Sequence, residues 1–308
     1  MTWHVLVNQI GVDNTSGAAE LARAAAIGVL EWINQTASDL LPEWKVELSA
    51  FATALSMAQP AMATLFNLAN EMLLASESTA VAQEVRPAVR RAVQAFLEQT
   101  ARANRSLAEA TLGVLPQGAR ILTFSYSSSV LAVLLGAHAR RRLSGVLCTE
   151  SRPMLEGQHL ATELTKAGIA VEFGVDAAIA TLAERAQLAL IGADSITVQG
   201  VINKLGTTSL ALVCQHLAIP CYVIADRHKW VPAAAATRGF STFKPEAEVW
   251  HDPPAGVSIR NAYFECTPLE LCSGIIGQDG LQRPEELRRQ LLDLPVAAAL
   301  RCGGPGSR

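Results

Sequence analysis

The feature that most constrains this chain is a change of hydrophobic period near residue 120. Before it, apolar residues recur three and four positions apart, as in Ala18, Leu21, Ala22, Ala25, Val29 and Trp32. That is the spacing of one buried helix face. After it, short β-branched runs alternate with amphipathic stretches and Gly-containing turns, which is the βαβ rhythm of a parallel sheet covered on both faces. The expectation is an α/β chain: an N-terminal helical domain over 1–115, then a Rossmann-like, doubly wound parallel sheet over 116–308 that carries the ligand site.

In detail, Asp13, Asn14, Thr15 and Ser16 are available as N-caps for the first helix. A second helix is expected over 43–57, a third opened by Pro60 and running to about 76, and a long one from near 80 to 112 with Pro87 in its opening turns. Pro116, Gln117 and Gly118 break the pattern. The strands expected are 119–124, 144–149, 170–173, 188–192, 221–225 and 262–266, with helices near 128–139, 157–167, 176–184 and 206–217. The Gly-rich tail after 296 is expected to fray.

Composition narrows the function classes. The 308 residues are 50% hydrophobic and 17% charged, with a net charge of −3. Such a chain has material for a large core and no global basic field for nucleic acid or an anionic membrane. No apolar stretch reaches membrane-spanning length, and the N-terminus lacks a basic leader with a cleavage site. The chain therefore reads as a soluble cytoplasmic protein. Its cysteines, at 148, 214, 221, 266, 272 and 302, lack CxxC or zinc spacing, and its histidines show no HExxH. Buried thiols are expected, with no metal and no cofactor.

In an open parallel sheet, ligands bind beyond the carboxyl ends of the strands. After the first strand stand Ser125, Tyr126, Ser127, Ser128 and Ser129, which could hold an anion at a helix N-terminus or simply cap that helix. Arg152 after the second strand could clamp a phosphate or sit in a surface ion pair. Asp194 after the fourth is placed for acid–base work or for capping. The segment Gly200–Thr207, with Asn203 and Lys204, looks like an anion cradle, and Lys229 after the fifth strand is a second phosphate cation or a solvated one. Walker A, GxGxxG and GxSxG motifs are absent, so ATP hydrolysis, ordinary NAD binding and serine-elbow chemistry lose support.

Taken together, ILTFSYSS (121–128), TESRPMLEG (149–157), GADSI (192–196), GVINKLGT (200–207) and RNAYFECTPLELCSGII (260–276) resemble the alpha, beta and delta regulatory subunits of translation initiation factor 2B. The enzyme relatives of that family are methylthioribose-1-phosphate isomerase and ribose-1,5-bisphosphate isomerase. The resemblance implies a catalytic aspartate at Asp194, substrate contacts at Asn203 and Lys204, and a proton-moving position at Ser125, where the isomerases carry a cysteine. It also implies phosphate contacts near Ser16, Gly17 and Gln59, where the enzymes carry arginines at the first and third. A serine hydroxyl is a much poorer proton shuttle than a thiol. Cys148, on the neighbouring strand, is a possible substitute for the missing thiol; the bland reading is a buried inert one.

Two readings follow from the resemblance. One is an aldose–ketose isomerase acting on a C1-phosphorylated pentose or related sugar. The other is a non-catalytic regulatory protein that binds a sugar phosphate or nucleotide and assembles with partners. At least a homodimer is implied, with Leu269, Leu271, Ile275 and Ile276 as a candidate interface or, alternatively, core.

Overall fold

Helices come first in a computed structural model that describes residues 2–13, 16–35, 41–235 and 243–301. They are α1 (Trp3–Val12), α2 (Ala18–Gln35), α3 (Leu41–Ala58), α4 (Ala63–Glu77) and α5 (Val85–Leu112). The stripe Ala18, Leu21, Ala22, Ala25, Val29 and Trp32 is buried as its spacing requires. It meets Trp44, Phe51 and Leu55 of α3, Leu65 and Met72 of α4 and Val93 and Phe96 of α5 in one apolar core. Trp32 stacks on Trp44 at 5.5 Å and stands edge-on to Phe51 at 5.4 Å, within the range favoured for aromatic pairs. Helix α1 has no counterpart among the expected elements, because only Leu6 and Ile10 of its ten residues are buried and the periodic signal is correspondingly faint.

Pro60 does not open α4. Residues 59–62 form a turn closed by Met62 N–H donating to the Gln59 carbonyl, and the helix begins at Ala63. Its first amide is met from the other half of the chain: Ala63 N–H donates to the Asp194 carbonyl at 3.0 Å and to Ser195 Oγ at 2.9 Å. Orphan amides at a helix start must find acceptors. Here they tie the helices to the sheet. Asn14, Thr15 and Cys302 lie outside the described residues.

Beyond α5 the chain runs β1 (Ala119–Thr123), α6 (Ser128–Ala139), β2 (Leu143–Thr149), α7 (Glu156–Lys166), β3 (Val171–Gly174), α8 (Ile179–Ala183), β4 (Leu188–Ile191), β5 (Ser195–Ile196), β6 (Gly200–Lys204), α9 (Thr207–His216), β7 (Cys221–Ile224), β8 (Phe264–Pro268), β9 (Gly274–Gly277), β10 (Gly280–Gln282) and α10 (Pro284–Asp293). The main sheet has the order β10-β9-β7-β4-β1-β2-β3 and is parallel except for β10. The chain is thus a helical region followed by a doubly wound α/β sheet. Strand order reverses between β1 and β4, which is the switch point where such sheets bind ligands.

Two expectations are corrected. Gly200–Lys204 is a buried strand, not a phosphate-cradling loop, and the segment expected at 262–266 is β8 over 264–268. Together with β5 they form a separate antiparallel sheet, in which Asn203 pairs with Glu265 and Lys204 with Phe264. The cause is the polarity of the two strands: a pair bearing Asn203 and Lys204 on β6 and Glu265 on β8 is unsuited to an apolar parallel sheet and pairs apart from it. Leu269, Ile275 and Ile276 are fully buried in the core. Of the run offered as a dimer interface, Leu271 alone is partly exposed. Among the described residues, no helix is long and apolar enough to cross a membrane.

Candidate functional site

The β1 and β4 strand ends approach closely because Gly192 has no side chain; a Cβ there would stand 2.6 Å from Ser127 Cβ and Oγ. Between them lies a cavity of about 50 Å³ lined by Gly17, Glu20, Tyr126, Ser127, Ser128, Asp194, Asn203 and Lys229, with small alanines. Six residues expected at a site are thereby brought together: Gly17, Ser127, Ser128, Asp194, Asn203 and Lys229. Glu20 was not singled out, and Tyr126 was named only as one of the strand-end residues. Tyr126 was legible as an aromatic inside the strand-end motif, whereas Glu20 looked like any first-turn helix carboxylate. The cavity shares Ala19, Glu20 and Ser128 with a groove of about 700 Å³ between α2 and α5, lined also by Arg23, Ile27, Leu97, Glu98 and Asn104. Ser127 additionally caps α6, its Oγ accepting from Val130 N–H at 3.4 Å.

Asp194 is held from both sides. Its N–H donates to the Ile202 carbonyl and its own carbonyl accepts from Ala63, leaving the carboxyl to face the cavity. Burial pushes that carboxyl above its ordinary range; Lys229 and Lys204 pull it down, and Glu156 pushes it up again. A carboxyl kept protonated to higher pH is a competent proton donor.

Lys204 is buried and lies 2.6 Å from Glu156 Oε1, with its ammonium 4.9 Å from the Tyr263 ring. The second oxygen, Glu156 Oε2, is buried without a hydrogen-bond partner. Asn203 donates to Thr207 Oγ1 at 3.0 Å, and Thr207 donates to the Lys204 carbonyl. The N-terminus of α9, expected to cradle an external anion, already holds one. Glu265 Oε1 accepts from Gly206 N–H at 2.7 Å and from Thr208 N–H at 2.9 Å. A carboxylate is the natural occupant of such a dipole end.

Ser125 lies outside the cavity lining, buried, at a left-handed φ of 63°. Its N–H donates to Ser151 Oγ at 2.8 Å, and Ser151 too is left-handed, at 61°. Such backbones persist only where surroundings impose them. The imposing group is Asp176, whose carboxylate accepts from Thr149 Oγ1 and from the Ser151 and Arg152 amides at 2.7–2.8 Å. Sequence reading passed over it. The Arg152 guanidinium reaches the Glu248 and Val249 carbonyls on the surface, away from the cavity. Gln59 is spent capping α1, donating to the carbonyls of Ile10, Gly11 and Asp13, and Ser16 N–H is bound to Asp13 Oδ1. Burial pushes the Cys148 thiol up to about 12, so it stays protonated at neutral pH.

A second acid–base group follows β7. Asp226 Oδ1 accepts from both the backbone N–H and the ring Nδ1 of His228, at 2.8 and 2.9 Å. Phe96 packs edge-on to that ring at 4.5 Å.

Known proteins share this fold. Residues 14–284 match the Initiation factor 2 subunit family, IF-2B. An eIF-2B subunit 2-like protein of Pyrococcus abyssi is 32% identical over 283 residues, covering 91% of this chain and 95% of its own. A ribose 1,5-bisphosphate isomerase of Archaeoglobus fulgidus is 29% identical over 277 residues, covering 87% and 86% respectively. The crystal structure of the Pyrococcus horikoshii translation initiation factor eIF-2B superposes with a TM-score of 0.79 at 30% identity, over 92% of this chain and 97% of that one.

Proposed function

The chain belongs to the initiation factor 2 subunit family, and on that premise we propose that it is a binding member of the family: it takes a small sugar-class ligand between Asp194 and Lys229 and does not isomerise it. The observation that carries this reading is the placement of Ser125. The isomerase position holds a hydroxyl instead of a thiol, and its backbone is locked by Ser151 outside the cavity lining. The phosphate-clamp positions point the same way, since Gln59 and the Ser16 amide are committed to local capping. Each missing charge-assisted contact to a phosphate is worth about 1.5–3 kcal/mol.

One observation favours the isomerase reading instead. Asp194 is retained at the cavity wall and protonated to higher pH than an ordinary carboxyl, as an acid that opens a sugar ring requires. The two readings separate in one experiment. Ribose, ribose 1-phosphate, ribose 1,5-bisphosphate, methylthioribose 1-phosphate and adenosine monophosphate are screened by thermal shift, and any binder is followed by NMR for ketose. Stabilisation without ketose supports the binding reading. Ketose that disappears in Asp194→Asn overturns it and establishes the isomerase. Self-association is carried over from the family resemblance and is read by sedimentation equilibrium, where a monomer at micromolar concentration removes it.

A further inference from the structure

Charge at the cavity, taken residue by residue, is unfavourable to an anion. Two lysines, Lys229 in the wall and Lys204, whose charge reaches Asp194, stand against three carboxylates: Glu20 and Asp194 in the wall and Glu156 beside Lys204. Lys204 and Glu156, 2.6 Å apart and largely withdrawn from water, present a dipole to anything in the cavity, and a dipole's field falls off faster than that of a free charge. Lys229 is then the net cation left. The adjoining groove does not restore the balance, for among its described lining residues Arg23 is the one cation and Glu20 and Glu98 oppose it. Polar groups able to meet hydroxyls are, by contrast, at hand in Ser127, Ser128 and Asn203.

From this balance we infer that the cavity, together with the groove that shares its wall, selects an uncharged, hydroxyl-bearing ligand, a neutral sugar or glycoside, and that Glu156 is the residue that turns away a phosphate dianion by neutralising Lys204. The inference rests on the binding reading above for its ligand class and on the ion pair alone for the role of Glu156. Glu156 is thus a specificity-determining residue that acts through Lys204, not one that touches the ligand.

Inorganic phosphate titrated by calorimetry into the wild type and Glu156→Gln tests the role of Glu156. The variant keeps the side chain's size and frees the lysine, so it should bind phosphate at least tenfold more tightly than the wild type. Equal affinity overturns the assignment. Should Glu156→Gln fail to fold, the wild type alone decides. It should bind ribose at least tenfold more tightly than ribose 5-phosphate, and the reverse order overturns the inference. A wild type that binds neither sugar, beside a variant that gains phosphate, removes the sugar-binding reading and leaves the role of Glu156 standing.

Discussion

Asp194 and Asp226 stand just beyond the ends of neighbouring strands, β4 and β7, and their carboxyls are pushed in opposite directions. Burial raises both. At Asp226 the ring and backbone N–H of His228, with the charge of Lys229, outweigh burial and hold the carboxyl below its ordinary range. At Asp194 the lysines act through space without a hydrogen bond to the carboxyl among the contacts described, Glu156 opposes them, and burial prevails. The same residue type on the same sheet edge is a hydrogen-bonded anion in one place and, in the other, a carboxyl that keeps its proton to higher pH than usual. Partners, not burial, decide which.

The largest expected effect breaks the paired member. His228→Ala strips Asp226 of its ring donor and removes the Phe96 contact, and a buried carboxylate left without its partner typically costs about 3 kcal/mol or more. Urea unfolding at neutral pH reads it, and a loss under about 1 kcal/mol would mean that the backbone N–H alone satisfies Asp226. A third carboxylate, Glu265, extends the comparison. Glu265→Ala uncovers two amides at the start of α9 and should cost about 1 kcal/mol by the same measurement.

Asp194→Asn should have the opposite sign. The folded-state carboxyl titrates above its ordinary value of 3.8, so ionising it costs stability. That cost is absent below 3.8, grows as pH rises toward the folded value and is fully present above it. The variant should therefore match the wild type in acid and exceed it at neutral pH. A variant less stable at neutral pH would sink the assignment of Asp194 as a strained acid. Asp226, depressed in the folded state, contributes in the other window: its stability is present above 3.8 and lost as pH falls through its folded value. The smallest effect sharpens the unpaired member. Glu156→Gln removes one of the influences that raise Asp194, so its carboxyl resonance should titrate at lower pH by NMR. No movement would mean that burial alone sets it.

Much of this was legible without coordinates. The change of period near 120 marked the passage from helices to sheet, and strand-end placement picked out Ser127, Ser128, Asp194 and Lys229 as neighbours. Chain order explains that success, because a parallel sheet gathers its carboxyl ends on one edge whatever the loops contain. The misses have a different origin. Gly200–Thr207 carried the glycines and the lysine of an anion loop, yet its groups were already provided for within the chain: Glu156 on Lys204, Thr207 on Asn203, Glu265 on α9. Those partners are 48, 4 and about 60 residues away, and only the nearest lies within reach of local pattern.

What the sequence determined by itself is therefore most of the helices and parallel strands and the edge on which the chemistry collects, since hydrophobic period and strand polarity are local properties of the chain. Which polar groups remain available was decided by tertiary structure alone. Gln59 went to the end of α1, Arg152 to a surface loop, Lys204 to Glu156, and Leu269, Ile275 and Ile276 to the core. The reason is that a buried polar group must be satisfied by whichever partner the fold brings within about 3 Å, and that partner is seldom near in sequence.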